Sequence, residues 1–89
     1  MLGHDFVWLP SNPHRVHDAT KHHPCKKYLG QHTLFRFDIC VHKACNDPEC
    51  GNYISFGDIS GACYCERKGH TCERIRGYST IFSLHRLAG

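Results

Sequence analysis

The clearest hydrophobic pattern in the chain lies between residues 34 and 42. Apolar side chains occupy the odd positions and mostly polar ones the even positions: Phe35, Phe37, Ile39 and Val41 alternate with Arg36, Asp38, Cys40 and His42. A period of two is typical of a β-strand with one buried face. Because side chains two residues apart on a strand share a face, Cys40 and His42 would project from the same side.

Weaker patterns predict the remaining elements. A second strand is expected over residues 53–59, and the turn residues Ser60 and Gly61 would join it to a short third strand over residues 63–65. Residues 78–87 fit either a strand or a helix, and we favour a short C-terminal helix.

The first 24 residues contain three prolines and five histidines and keep no regular period. They predict an extended Pro/His-rich arm, followed by a Cys/His-rich domain over residues 25–89. The apolar residues 6–9 would dock on a partner or on the chain's own domain, with Trp8 as a plug. The arm histidines fit a solvated segment better than a metal site, namely His14, His17, His22 and His23.

A chain of 89 residues is one domain with a small hydrophobic core, so a covalent or metal staple is expected. No apolar run approaches the roughly 18 to 20 residues that span a bilayer, and no secretory signal is recognisable. We therefore expect a reducing compartment, that is, the cytoplasm, the nucleus or an organelle matrix. In such compartments, clusters of cysteine and histidine bind metals more often than they form disulfides.

Four close ligand pairs follow one another in the second half of the chain. They are Cys40 with His42, Cys45 with Cys50, Cys63 with Cys65, and His70 with Cys72. Tetrahedral zinc takes four such ligands as two pairs from separate elements, so the pattern predicts two zinc ions. Nesting suggests an inner site of Cys45, Cys50, Cys63 and Cys65 and an outer site of Cys40, His42, His70 and Cys72. An interleaved partition fits equally well.

The turn from Cys45 to Gly51 resembles a zinc knuckle, with four residues between its cysteines where the usual knuckle has two. Cys25 lies outside this cluster and is expected to be a lone thiol. The odd number of cysteines, seven, also favours metal over complete disulfide pairing.

Disulfides are the alternative. Nine residues separate Cys40 from Cys50 and eight separate Cys63 from Cys72, which resembles the twin cysteine hairpins of small proteins of the mitochondrial intermembrane space. The resemblance implies an oxidising compartment, and a secreted disulfide domain belongs to the same alternative. Those hairpins are helical, however, and Pro48, Gly51 and Gly69 disfavour helices here.

Together these features predict a small metal-stabilised β-rich (α+β) domain with short antiparallel strands and a knuckle-like turn. We expect no enzyme, no small-molecule substrate and no membrane insertion, but a zinc-binding structural or accessory subunit with protein partners in a larger assembly. The formal net charge is +3, and a basic stretch near the C-terminus makes RNA or DNA a further expected partner. The residues assigned to that contact are Arg67, Lys68, Arg74 and Arg76.

Overall fold

The computed structural model describes residues 5–17, 24–33 and 35–87. These residues form five strands and one helix: β1 (Phe6–His17), β2 (Lys26–Gln31), α1 (Phe37–Cys45), β3 (Cys50–Gly57), β4 (Ala62–Arg67) and β5 (Arg74–Arg86). All strand pairings are antiparallel, and the order across the sheet is β1-β5-β3-β4-β2. The fold is thus a small β-rich domain with one short helix, stapled by three disulfides. The predicted metal-stabilised fold is wrong in its staple and in several elements.

The segment with the clearest strand pattern is a helix. Residues 37–45 form α1, which buries Cys40 and Ala44 and packs Phe37 and Val41 against the core. These positions recur every three to four residues, so the same apolar side chains that alternate along a strand also form one stripe along a helix. The predicted strand over residues 34–42 is therefore wrong, and Leu34 itself lies outside the described residues.

Helix α1 covers one face of the sheet and forms the core with it. Phe37 packs against two aromatic rings of the sheet, with its centroid 5.4 Å from that of Phe56 and 4.3 Å from that of Phe82. The buried residues of this core are Cys40, Ala44, Cys50, Ile54, Phe56, Cys63 and Cys65. Four of them are cysteines that form disulfides, so covalent bonds stand where a larger domain would have aliphatic side chains.

The predicted C-terminal helix is a strand. Residues 74–86 form β5, which pairs with β1 on one side and β3 on the other. Ile81 is fully buried opposite Ser55, whereas its neighbour Phe82 points to the α1 side. Successive side chains of a strand point to opposite faces of the sheet, so Ile81 and Phe82 lie on different sides of β5.

Residues 6–17 of the predicted arm form the edge strand β1, so they dock on the chain's own domain, which is one of the two positions expected for them. The register of β1 with β5 runs from Phe6 opposite Arg86 to His17 opposite Arg74, with irregularities between Pro10 and Asn12 and between Pro13 and Arg15. Proline has no N–H to donate, which confines it to edge strands and bulges. Trp8 packs against the core, while residues 1–4 and 18–23, including His22 and His23, lie outside the described residues.

Candidate functional site

Six of the seven cysteines form disulfides. The pairs are Cys25–Cys72, Cys40–Cys63 and Cys50–Cys65, with Cα atoms 5.4, 5.7 and 5.6 Å apart. Such separations fall within the normal range for a disulfide. Disulfide sulfur cannot act as a thiolate ligand of zinc, and the described residues contain no cluster of three or more cysteine, histidine or acidic side chains suited to a metal. The predicted zinc ions are therefore wrong.

The eight predicted ligands are distributed as follows. Cys40, Cys50, Cys63, Cys65 and Cys72 are disulfide-bonded, Cys45 ends α1 as a half-buried thiol outside the three bonds, and His42 and His70 are exposed. The His42 ring meets the Asn46 side chain at 3.1 Å. Neither the nested nor the interleaved partition describes the pairing, and the partner of Cys72 is Cys25, 47 residues away, the presumed lone thiol.

Each disulfide joins a different pair of elements. Cys40–Cys63 joins α1 to β4, Cys50–Cys65 joins the neighbouring strands β3 and β4, and Cys25–Cys72 joins the segments that precede β2 and β5. Their sequence separations of 15, 23 and 47 residues correspond to about 3 to 4 kcal/mol each in the chain-entropy account. Three such bonds suggest an oxidising compartment or secretion, so the predicted reducing compartment is wrong.

A buried carboxylate anchors one of the predicted nucleic-acid residues. Glu66 is 5% exposed, and its Oε2 accepts hydrogen bonds from the backbone N–H of Cys72 at 2.8 Å and from Nη1 of Arg74 at 2.6 Å. The Arg74 guanidinium also lies 4.7 Å from the centre of the Tyr53 ring. Arg74 thus holds the start of β5 against the sheet, and its charge is balanced by Glu66.

A second ion-pair group ties the loop after α1 to the sheet. Lys27 on β2 contacts Asp47 at 2.6 Å and Glu49 at 2.8 Å, and Arg67 on β4 pairs with the other oxygen of Glu49. Hydrogen bonding to Lys27 lowers the pKa of Asp47 and Glu49, and the same two carboxylates raise the pKa of Lys27. Of the four predicted nucleic-acid residues, only Lys68 and Arg76 meet no carboxylate within the described chain.

Three strongly exposed apolar side chains belong to segments that meet near the β3–β4 turn. Phe35, Ile59 and Tyr78 are 89%, 70% and 78% exposed, the highest values among the large hydrophobic side chains of the described residues. Hydrogen bonds hold their segments together: His32 N–H donates to Gly61 O at 2.9 Å, and Asp58 N–H donates to Tyr78 O at 2.7 Å. We call these three residues the apolar end.

Sequence reasoning missed the apolar end because its residues come from three separate segments. Each segment contributes a single exposed side chain, and one exposed hydrophobic residue is unremarkable in a sequence. Within the described chain, no helix is both long enough and apolar enough to cross a bilayer. No family model, curated protein or solved structure matches this chain.

Proposed function

We propose that this chain is a non-catalytic, disulfide-stapled interaction protein of an oxidising compartment, secreted or intermembrane, which binds a protein partner through the apolar end. The observation that carries the proposal is the exposure of Phe35, Ile59 and Tyr78 on hydrogen-bonded segments of a disulfide-bonded fold. Large apolar side chains exposed close to one another are a feature of interaction sites.

The surroundings of the apolar end favour a protein over a lipid surface as the occupant. Asp58 directly precedes Ile59, and Asp38 forms an exposed ion pair with Arg36 beside Phe35. Acidic groups beside the apolar side chains oppose an anionic bilayer, whereas an aromatic centre with a rim of mixed charge is the usual composition of a protein interface.

The hydrogen bonds and disulfide that order the apolar end also support a binding role. Backbone hydrogen bonds join the β3–β4 turn to β5 and to the segment before Phe35, and the Cys40–Cys63 bond holds α1, which follows Phe35 closely in the chain. A surface that is already ordered loses little conformational entropy when a partner binds. A catalytic role for cysteine is disfavoured because six of the seven are oxidised in disulfides.

Site-specific photo-cross-linking tests this function. We would replace Ile59 with photoreactive benzoylphenylalanine in a chain directed to the secretory pathway, with the same replacement at Lys68 as the control. Lys68 is exposed and follows the opposite end of β4, so it reports on chance encounters. We expect a discrete protein adduct from position 59 that Phe35→Ser abolishes. Equal adduct yields from positions 59 and 68 would refute the proposal.

A further inference from the structure

Two arginines face each other on neighbouring strands without a counter-charge. Arg15 on β1 and Arg76 on β5 occupy directly opposite positions in the antiparallel register. Like charges at such positions destabilise a sheet. Neither guanidinium forms an ion pair with any carboxylate in residues 5–17, 24–33 or 35–87, and the side-chain bond that Arg15 makes goes to the carbonyl of its neighbour His14.

The backbone beside this pair is unusual as well. His14 has a φ of +57° and is the only non-glycine residue with positive φ among the described residues. It lies at the register irregularity between Pro13 and Arg15, where His14 alone stands opposite residues 77–79, so the extra residues are in β5. A bulge of this kind re-aims the side chains around it, and left-handed backbone at a non-glycine residue is typical of functional sites.

The bulge borders a polar hollow on the protein surface. The hollow has a volume of about 380 Å³ and is lined by Ser11, Asn12, Pro13, His14, Arg15 and Arg76. A second hollow shares His14 and Arg76 with it and extends to Gly77 and the exposed ring of Tyr78. The two hollows adjoin at His14 and Arg76, and we call them together the depression: Arg15 and Arg76 line one part of it and Tyr78 the other.

We propose that this depression binds a sulfate ester of a sulfated polysaccharide. The guanidiniums of Arg15 and Arg76 would share the oxyanion, since each presents paired N–H donors that match its oxygens. The ring of Tyr78 would lie against the attached sugar, because aromatic rings offer a large, rigid contact surface. The bound anion would also remove the repulsion between the two arginines.

The oxidising compartment that three disulfides suggest favours this ligand over a nucleic acid, because sulfated polysaccharides are polyanions of the cell exterior. The inference shares Tyr78 with the proposed protein-binding end. Its test therefore changes only Arg15 and Arg76, which the apolar end does not use, so each proposal can fail without the other.

The test measures binding of the oxidised chain to a heparin-derived oligosaccharide by calorimetry over a range of salt concentrations. The test variant is Arg15→Gln with Arg76→Gln. The control carries the same loss of charge at two exposed sites elsewhere, Lys68→Gln with Arg86→Gln. We expect the test variant to lose at least tenfold in affinity and about two units of the slope of log K against log salt, and the control to change less than twofold.

Loss of folding would not explain such a result, because removing two opposed charges should leave the melting temperature equal or higher. Three results would overturn the inference: undetectable binding by the wild-type chain, equal weakening in test and control variants, or equally tight arginine-dependent binding of single-stranded DNA. The last result would assign the depression to nucleic acid instead.

Discussion

Cys40 on α1 and Cys63 on β4 are bonded through the centre of the core, with both side chains fully buried and their Cα atoms 5.7 Å apart. This bond determines which side of α1 faces the sheet. Phe37 and Val41 lie on the same side of the helix and pack beside it against the core. The helix has only nine residues, which is too short to be stable in isolation, so its existence depends on this attachment.

Removing this bond should therefore destabilise the whole domain. We expect Cys40→Ala with Cys63→Ala to lower the free energy of unfolding by about 3 kcal/mol or more, measured by urea denaturation. Cys45→Ala, on the same helix but outside the disulfides, is the control and should cost about 1 kcal/mol. Similar losses for both variants would show that the bond is not what secures α1.

The sequence predicted only part of this architecture. Strands β3 and β4 overlap the predicted strands over residues 53–59 and 63–65, although β3 runs from Cys50 to Gly57 and β4 from Ala62 to Arg67. These two strands are neighbours in the sequence and pair with each other, so local patterns report them. The pairing of β1 with β5 joins positions as far apart as Phe6 and Arg86, and no local pattern reports it. The alternation over residues 34–42 predicted a strand where the structure has α1, because a short apolar run fits a helix as well as a strand.

The candidate sites were predicted less well for a related reason. Spacing along the chain identified a cysteine-stapled core, but the choice between metal and disulfide depends on which sulfurs meet in space. The Cys25–Cys72 bond spans 47 residues and lies outside every close pair in the sequence. The opposed arginines Arg15 and Arg76 were equally hidden, since only the register of β1 against β5 brings them together.

A reductant should change the melting temperature and a metal chelator should not. Because six cysteines are in disulfides, a strong phosphine reductant should lower the melting temperature by tens of degrees, whereas EDTA should leave it unchanged. Intact mass after alkylation under denaturing conditions should show one modified thiol without reductant and seven with it. A chelator-sensitive melting temperature would contradict the disulfide framework.

Two glycines allow a matched test of the turn that supports the apolar end. Gly61 and Gly69 have similar left-handed φ values of +73° and +78°. A Cβ at Gly61 would lie 1.6 Å from the carbonyl oxygen of His32, whereas at Gly69 it would meet nothing within 4 Å. Both alanine substitutions carry the cost of a left-handed backbone conformation. The difference between their costs therefore reports the clash with the His32 backbone.

We expect Gly69→Ala to cost about 1 to 2 kcal/mol and Gly61→Ala about 3 kcal/mol or more in the free energy of unfolding. Chemical denaturation measures both. Gly61→Ala should also disturb the segments that carry Phe35 and Ile59, visible as amide shift changes at those residues. Equal costs for the two substitutions would mean that the close approach of Gly61 to His32 does not exist in solution.

The ion-pair group of Lys27, Asp47 and Glu49 should make stability depend on acid pH. The pKa values of both carboxyls are lowered in the folded protein, first of all by hydrogen bonds to Lys27. The unfolded chain therefore takes up protons first as the pH falls, and unfolding becomes easier. The contribution is complete above the ordinary carboxyl pKa of about 4 and is lost as the pH falls through the lowered values.

Melting temperatures between pH 6 and pH 2 measure this contribution. Lys27→Met should flatten the acid limb of that profile, whereas Lys68→Met, which removes a lysine that meets no carboxylate within the described residues, should leave it unchanged. Identical profiles for the two variants would exclude Lys27 as the cause.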